Sequence, residues 1–264
     1  MAGMKFVFGL LTFVTVGMIV GALFQLAFIR RLEESSGIPH WVDDKEAVVL
    51  HLGIVKPEVL SWSPRIILFR NFLSMEECDY LRAIARPRLK ISNVVDRKTG
   101  KGVKSGVRTS SGMFLSPEER KYPIIQAIER RISIYSQIPE ENGEHIQVLR
   151  YEKNQFYQPH YDFFSDPFNV QRGGQRIATM LMYLTDDVEG GETYFPLAGS
   201  GECTCGEKTV TGLCVKPIKG NAVLFWNTGL DGEGDLYSQH GGCEVVGGEK
   251  WSATVWMRQG SVTF

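Results

Sequence analysis

The chain has 264 residues, a formal net charge of −1 at pH 7 and a hydrophobic content of 43%. This size and composition suit one globular domain with an additional segment, and they exclude an intrinsically disordered chain. Because contacts to phosphate groups require a basic surface, the near-neutral charge argues against nucleic acid as a partner.

The first residues predict a membrane anchor. Residues 6–29 are 24 consecutive positions without a charge. As a helix they would span about 36 Å, which exceeds a hydrocarbon core of about 30 Å. A cleaved signal peptide has a shorter apolar region and a small-residue cleavage site, whereas Arg30 and Arg31 follow here. We therefore predict a tail at 1–5, an uncleaved transmembrane anchor at 6–29, a stem at 30–60 and a folded domain at 61–264.

The charges next to the anchor do not settle its orientation, because Lys5 lies on one side and Arg30 and Arg31 lie on the other. The cysteines favour an oxidising compartment for the domain and predict one or two disulfides. Their odd number leaves at least one thiol outside intrachain pairs: Cys78, Cys203, Cys205, Cys214 and Cys243. A zinc site is the weaker interpretation, because three clustered thiols lack a fourth ligand nearby.

The domain is predicted to start with a strand and a helix. The run IILF in SPRIILFRNFLS is typical of a short strand. Ser74, with Glu77 three positions later, forms a capping-box pattern that predicts a helix ending before Pro87.

A second helix is predicted from Ser116, with Pro117 at its first position and Glu119 completing another capping box. Its apolar positions have helical spacing and are expected in the core: Ile125, Ile128, Ile132 and Tyr135. Residues 92–115, between the two helices, are rich in glycine and basic residues. They are either a solvated hairpin or a lid over a site.

From residue 145 onward the sequence predicts strands. Four segments are strand-like, HIQVLRY, RIATMLMYL, AVLFWN and SATVWMR, and glycine-rich turns such as VEGGETYFP separate them. Helices followed by many short strands predict an α+β fold, in which the helices pack on an antiparallel sandwich or jelly roll, a double-stranded β-helix.

The stretch YEKNQFYQPHYDFF contains a candidate pair of metal ligands. In a strand, His160 and Asp162 would point to the same face, although a His-x-Asp pattern alone is a weak signal. A third ligand in the strand-rich half would be His145 or His240. The glycines that follow His240 would allow a metal or cofactor to approach the backbone closely.

Lys250 follows ten positions after His240 and opens a strand. It is either a solvated surface lysine, or a lysine buried among Tyr183, Trp251 and Thr254 that needs an anion. Two histidines and a carboxylate on one face suit Fe(II) and leave positions for a co-substrate and O₂. 2-Oxoglutarate would chelate the iron at one end, and its distal carboxylate would need a cation.

With these motifs in order, the chain from about 65 to 259 resembles the membrane-anchored, plant-type prolyl 4-hydroxylases of the Fe(II)/2-oxoglutarate dioxygenases. The segments that carry the resemblance are RTSSGMFL, YEKNQFYQPHYD, RIATMLMYLTDDVEGGETYFP, KGNAVLFWN and HGGCEVVGGEKWSATVWMR. Asn154 departs from the glycine usual in the family, but asparagine also tolerates left-handed backbone angles.

The resemblance implies a role for each matching residue. His160, Asp162 and His240 would bind Fe(II), and Lys250 would pair with the distal carboxylate of 2-oxoglutarate. The same pocket would be lined by Tyr151, Thr179 and Tyr183. The peptide would be contacted by Arg108, Ser110, Tyr157, Arg176 and Trp256, with residues 92–115 closing as a lid.

The resemblance also implies peptidyl prolines of proline-rich secretory proteins as substrates, either hydroxyproline-rich glycoproteins or collagen-like sequences. Ascorbate would be a further cofactor. The expected location is the endoplasmic reticulum or Golgi membrane, as a single-pass type II protein with a luminal domain and a cytosolic tail. Association as a homo-oligomer, or with related hydroxylases, is a further expectation.

Three alternatives remain open from the sequence. The same scaffold could hydroxylate a different substrate. A zinc hydrolase could use two histidines and an aspartate, but it would need neither Lys250 nor 2-oxoglutarate. A catalytically inactive peptide-binding module would be expected to have a broken ligand triad, whereas all three ligands are present.

Overall fold

The computed structural model describes residues 45–95 and 99–262, together with Met18, Val20, Gly21 and Gln25, which are helical. The predicted tail, the rest of the predicted anchor and the stem up to residue 44 lie outside the described residues. Within the described part of the chain, no helix is long and apolar enough to cross a membrane.

The described residues form four α-helices and eighteen β-strands. The helices are α1 (Lys45–Val49), α2 (Met75–Ala85), α3 (Pro123–Ser136) and α4 (Pro167–Val170). The first nine strands are β1 (Lys56–Trp62), β2 (Arg65–Arg70), β3 (Lys90–Ile91), β4 (Val94–Val95), β5 (Gly102–Val103), β6 (Ser111–Phe114), β7 (Gln147–Tyr151), β8 (Tyr157–His160) and β9 (Arg176–Tyr183). The others are β10 (Val188–Gly190), β11 (Thr193–Phe195), β12 (Glu202–Cys205), β13 (Lys208–Thr211), β14 (Leu213–Val215), β15 (Ala222–Trp226), β16 (His240–Gly242), β17 (Val245–Gly248) and β18 (Lys250–Arg258).

Two antiparallel sheets make up the core. The larger has eight strands in the order β1-β2-β15-β9-β18-β7-β6-β3, and the smaller has four in the order β14-β11-β16-β8. One apolar cluster joins α2 and α3 to one face of the large sheet, and another joins its opposite face to the small sheet. This arrangement confirms the predicted jelly-roll core with supporting helices.

Alternation along β9 shows how the sequence produces these layers. Ala178, Met180 and Met182 pack in the cluster with the helices, whereas Tyr183 packs in the cluster between the sheets. Because successive side chains of a strand point to opposite faces, one strand supplies both layers.

The predicted strand IILF and the first predicted helix are confirmed. Ser74 caps α2, and both hydrogen bonds of the capping box with Glu77 are present. Strand β1 begins at Lys56, within the stretch predicted as stem, and pairs with β2.

The predicted start of the second helix at Ser116 is wrong. The capping bonds between Ser116 and Glu119 do form, at 2.7 and 3.3 Å, but they close only a short 3₁₀ turn. Pro123 begins α3, and the preceding Tyr122 is extended, since a residue before proline is disfavoured in the helical region. The predicted apolar stripe is confirmed, with Ile125, Ile128 and Ile132 buried.

The cysteines form two disulfides and leave one thiol, within the predicted range of one or two disulfides with at least one thiol outside them. Cys203 pairs with Cys214, and Cys205 pairs with Cys243. Cys78 is a buried free thiol, and burial raises its pKa to about 12. The second disulfide ties strand β12 to the residue that follows β16.

A buried ion pair joins the two main helices, and its removal should destabilise the domain. Arg131 on α3 is 1% exposed and lies 2.8 Å from the Glu77 carboxylate on α2. It also donates to the Phe72 carbonyl at 2.9 Å.

Arg131→Met leaves the Glu77 carboxylate buried without its partner, so we expect the free energy of unfolding to fall by about 3–5 kcal/mol in denaturant titrations. Arg130→Met, beside it in an exposed pair, should change it by less than about 1 kcal/mol.

Candidate active site

Two histidines face each other across the small sheet. His160 ends β8 and His240 begins β16, and the two residues are direct partners in this antiparallel pair. Their ring centroids lie 4.4 Å apart. Asp162 lies beyond the end of β8, so the predicted arrangement of both ligands within one strand is not observed. Its carboxylate nevertheless reaches both rings, at 3.6 Å from His160 Nε2 and 3.4 Å from His240 Nε2.

The backbone orients both imidazole rings. His160 Nδ1 lies 2.9 Å from the Gln158 carbonyl oxygen, and His240 Nδ1 lies 3.0 Å from the Ser238 carbonyl oxygen. When Nδ1 donates to these carbonyls, the lone pair of each Nε2 faces the Asp162 carboxylate. One ligand atom from each of the three residues lies within 4.8 Å of the others.

Electrostatics favour the metal-binding forms of these groups. Burial acts to raise the pKa of Asp162, but His240 and His160 hold it well below its usual range. Burial, together with His240, lowers the pKa of His160. At neutral pH the carboxylate is therefore ionised and His160 is neutral, which are the states that bind a metal ion.

Lys250 is buried in the same cleft. It is 3% exposed and pairs with Tyr151 at the start of β18. Its Nζ lies 5.5 Å from the ring centroid of Tyr151 and 5.8 Å from that of Tyr183. Burial lowers the pKa of Lys250 to about 8, against a smaller opposing effect of Glu192. The interpretation as a solvated lysine is therefore wrong.

The predicted neighbours of Lys250 need one correction. Trp251 is fully buried on the opposite face of the sheet, in the cluster with the helices, because neighbouring residues of a strand alternate between faces. Gly191, at a φ of 68°, allows the Lys250 side chain to pass, since a Cβ there would lie 3.2 Å from Lys250 Cδ.

The cleft encloses about 470 Å³, counting its open mouth, and side chains of both sheets line it. The residues predicted for the site that line it are Arg108, Tyr151, Tyr157, His160, Asp162, Thr179, His240, Lys250 and Trp256. Tyr183 lies behind the wall, where its hydroxyl donates to Thr193 Oγ1 at 2.8 Å. Thr193 itself lines the cleft, so it is a site residue that the sequence interpretation missed.

The hydroxyl of Thr179 is directed at the metal-ligand set. It donates to Asp162 Oδ2 at 2.8 Å and accepts from Asn227 Nδ2 at 2.9 Å. Thr179 therefore lines the pocket as expected, but its hydrogen-bonding capacity is used by Asp162. Asn227 was not predicted as a site residue.

Arg108 is held at the mouth by polar contacts. It donates to Ser110 Oγ at 3.3 Å and to Gln147 Oε1 at 3.2 Å, and its guanidinium lies 4.8 Å from the Tyr157 ring centroid. Ser110 is fully buried and does not line the cleft. The Tyr157 ring stacks on His160 at 3.6 Å, and burial raises the pKa of Tyr157 to about 12.

Arg176 supports the mouth from behind. Its guanidinium lies 4.0 Å from the Trp256 ring centroid, and it donates two hydrogen bonds of 2.7 Å to Glu144. Arg258 donates to the same carboxylate at 2.8 Å. Burial acts to raise the pKa of Glu144, but the two guanidinium groups lower it. Neither Glu144 nor Arg258 was predicted, because nothing in their local sequence pattern marks them.

The basic segment 92–115 includes a small hairpin. Strands β4 and β5 pair, and the Gly100 carbonyl accepts a hydrogen bond of 3.3 Å from the side chain of Asn169 in α4. Lys101 and Lys104 are exposed, whereas Arg108 is buried in the cleft. Arg97 and Lys98 lie outside the described residues.

The donor set fits Fe(II) and a dicarboxylate. Two imidazoles and one carboxylate converge, a set that suits non-haem Fe(II) with open coordination positions. Lys250 forms no ion pair with any described residue, although a buried charge is unfavourable without a partner. An anionic group entering the cleft would supply that partner.

Comparisons with known proteins agree with this chemistry. The model of the 2OG-Fe(II) oxygenase superfamily matches residues 146–258. Prolyl 4-hydroxylase 1 of Arabidopsis thaliana is 66% identical over 275 aligned positions, which cover 97% of each chain. The chain belongs to the prolyl 4-hydroxylase family. Probable prolyl 4-hydroxylase 3 of the same plant is 52% identical, over 77% of this chain and 72% of its own length.

Solved structures show the same fold. The 2OG complex of a viral collagen prolyl hydroxylase from Paramecium Bursaria Chlorella virus-1 is 28% identical to this chain, with a TM-score of 0.55. The match covers 73% of this chain and 95% of the viral chain. A prolyl hydroxylase from Trichoplax adhaerens, in complex with a hypoxia inducible factor peptide fragment, shares the fold at 16% identity and a TM-score of 0.53. The match covers 84% of this chain and 94% of the Trichoplax chain.

Asn154 is the residue that departs from the glycine usual in the family. It adopts a left-handed backbone conformation in this chain. Its φ is 66°, and its N–H donates to the Val245 carbonyl at 2.8 Å. Asparagine tolerates this conformation better than other non-glycine residues, so the turn is retained.

The lowered pKa of Lys250 predicts how the affinity for 2-oxoglutarate changes with pH. The ammonium, not the neutral amine, pairs with a carboxylate, so the affinity should be constant below about pH 8. A bound carboxylate raises the pKa again, and between the two pKa values the affinity should fall by about tenfold per pH unit. Lys250→Arg should bind more weakly at neutral pH but remove this fall, because guanidinium stays protonated. Anaerobic calorimetry of the Fe(II)-loaded native protein and of Lys250→Arg measures the 2-oxoglutarate affinity of each across this pH range. An identical fall in both proteins would exclude Lys250 as its cause.

Proposed function

We propose that this chain hydroxylates C4 of peptidyl proline in proline-rich secretory proteins, with Fe(II), 2-oxoglutarate and O₂. The products are 4-hydroxyproline, succinate and CO₂. The observation that carries the proposal is the presence, in one cleft, of the His160, Asp162 and His240 donor set and of a buried Lys250 that forms no ion pair with a described residue. The names of the relatives support the reaction on proline.

Each part of the cleft has a chemical role in this reaction. His160, Asp162 and His240 would hold the iron, and Lys250 would hold the distal carboxylate of 2-oxoglutarate, with Tyr151 and Thr193 lining the same cleft. When bound, iron and 2-oxoglutarate supply the oxidising chemistry that transfers one oxygen atom of O₂ to the C4–H bond.

The surrounding side chains exclude water from these groups. Phe225 packs against His240 with ring centroids 4.4 Å apart, and the Tyr157 ring covers His160. Leu149 and Leu181 also line the cleft. A closed apolar wall strengthens the pairing of Lys250 with a carboxylate, because charges interact more strongly where water is absent.

Strand register leads from the cleft to a groove for the peptide. Thr254, Gln147 and Phe114 are cross-strand neighbours on β18, β7 and β6, on the face that holds Lys250. Phe114 is 50% exposed, and its ring centroid lies 6.3 Å from that of Trp256. Polyproline II chains present rigid ring faces that dock on aromatic side chains, so Trp256 and Phe114 suit a proline-rich segment.

Two polar groups at the mouth are suited to a peptide backbone. Trp256 Nε1 is buried and has no hydrogen-bond partner among the described residues. A peptide carbonyl would satisfy it, since buried donors are rarely left unpaired. Arg108 lies next to Tyr157, and the part of residues 92–115 that precedes β6 would close over the peptide as a lid, because β6 itself is fixed in the large sheet.

The proposed location is the endoplasmic reticulum or Golgi membrane, as a single-pass type II protein with a cytosolic tail and a luminal domain. The uncharged stretch at 6–29 and the two disulfides support it, because disulfides persist in oxidising compartments. We also propose ascorbate as the reductant that sustains the iron. Association with itself or with related hydroxylases stays a prediction.

Hydroxylation should depend on His240 and not on His145. The full chain, incubated with Fe(II), ascorbate, 2-oxoglutarate and a poly-Ser-Pro peptide, should add one oxygen atom to prolines, as read by mass spectrometry. His240→Ala should abolish the product and leave the circular dichroism spectrum unchanged, because the strands form the site without the metal. His145→Ala is the matched control and should retain activity, since His145 lies outside the triad.

The same assay separates the alternatives. Hydroxyproline formed without 2-oxoglutarate would favour another oxidase, and cleavage of the peptide without 2-oxoglutarate would favour a hydrolase. Binding of the peptide by the native chain without any hydroxyproline would favour an inactive binding module. Succinate formed with a different acceptor, but not with proline peptides, would indicate another substrate. Activity of His240→Ala at the native level would contradict the assignment of the ligands.

The membrane topology can be tested in sealed microsomes that contain the full chain. Protease added outside should leave the folded domain intact, because the membrane protects a luminal domain. Detergent should then allow digestion, and a tag placed before residue 6 should be removed in both conditions. Digestion of the domain in sealed vesicles would reverse the proposed orientation.

A further inference from the structure

We infer that Asn227 and Thr179 form a directed hydrogen-bond chain that fixes the orientation of the Asp162 carboxylate. The Thr179 hydroxyl lies 2.8 Å from Asp162 Oδ2, and Asn227 Nδ2 lies 2.9 Å from the same hydroxyl oxygen. All three side chains are buried. The inference rests on the proposed function, because it assigns to two further residues a positioning role toward the iron.

Chemistry sets the direction of the chain. An ionised carboxylate only accepts hydrogen bonds, so Thr179 must give its single proton to Asp162. The hydroxyl oxygen of Thr179 can then only accept, and Asn227 meets it with its amide nitrogen, which only donates. The two bonds are therefore compatible in direction, and together they restrain the rotation of the carboxylate from one side.

Asp162 needs such a restraint more than the two histidines do. It lies beyond the end of β8, whereas His160 and His240 are held by the sheet and by their own backbone carbonyls. Thr179, in contrast, sits within β9, at the centre of the large sheet. The chain thus ties the one ligand outside the sheets to a central strand of the large sheet.

Asn227 is itself fixed at both ends of its backbone. Its N–H donates to the Ile177 carbonyl at 2.8 Å, and its carbonyl accepts from the Asp235 N–H at 2.9 Å. The second bond anchors the loop that leads to His240. Asn227 Oδ1 is buried without a partner among the described residues, which destabilises the fold. The presence of this amide is therefore better explained by the hydrogen bond from its nitrogen to Thr179 than by a contribution to stability.

The test is the affinity of the full chain for Fe(II), measured without oxygen, peptide and 2-oxoglutarate, by competition with a chromogenic chelator. Thr179→Val keeps the shape and removes the hydroxyl, so the Kd for Fe(II) should rise about 10- to 100-fold. Thr179→Ser should restore most of the affinity. Thr228→Val is the matched control and should leave the Kd unchanged. Thr228 is also buried, and its described hydrogen bond uses only its carbonyl, which accepts from Arg65.

Asn227→Leu tests the second link. It should raise the Kd for Fe(II) by less than Thr179→Val does, and the double variant should be no weaker than Thr179→Val alone, because Asn227 acts through Thr179. Additive losses, or a native Kd in Thr179→Val, would overturn the inference. If Thr179→Val proves unfolded by circular dichroism, Asn227→Leu decides alone, and a native Kd in that variant refutes the chain. A native protein that bound no Fe(II) would instead contradict the proposed function.

Discussion

The antiparallel pairing of β8 with β16 is the constraint on which the rest of the cleft depends. It sets His160 opposite His240 with both rings on the inner face of the small sheet. A slip of one residue would move His240 to the other face and separate the ligands. Gly241 makes the close pairing possible, because a Cβ at that position would lie 2.9 Å from the Tyr157 carbonyl oxygen. Gly241 therefore serves strand packing.

Buried charges in the scaffold differ from the buried charge of Lys250 in the cleft. Arg131 pairs with Glu77 between the helices, and Glu144 pairs with Arg176 and Arg258 behind the peptide groove. Those charges are compensated within the protein, so they stabilise particular contacts between elements. Among the described residues Lys250 has no such partner, and burial lowers its pKa to about 8. A buried charge that the protein leaves uncompensated favours an anionic ligand, as the proposed pairing with a carboxylate of 2-oxoglutarate requires.

Much of the fold could be predicted because local pattern and tertiary structure agree there. The strands around Met180, Leu224 and Ala253 alternate between two buried faces, and the capping box at Ser74 is satisfied within its own helix. The prediction failed at Ser116, where the same capping pattern is present but Pro123 interrupts the helix.

The sequence by itself determined the strand-rich core, the His160 and Asp162 pair and the interval from His240 to Lys250, since each depends on residue type and short spacing. Residue patterns left His145 and His240 open as the third ligand, and the structure places His240 beside Asp162. Only the tertiary structure decided which distant residues complete the site. Thr193, Asn227 and Glu144 come from separate strands or loops, and they meet the predicted residues only after the sheets pack together. The disulfide partners were undetermined for the same reason. Contacts between residues far apart in the chain depend on topology and register, and no local pattern records them.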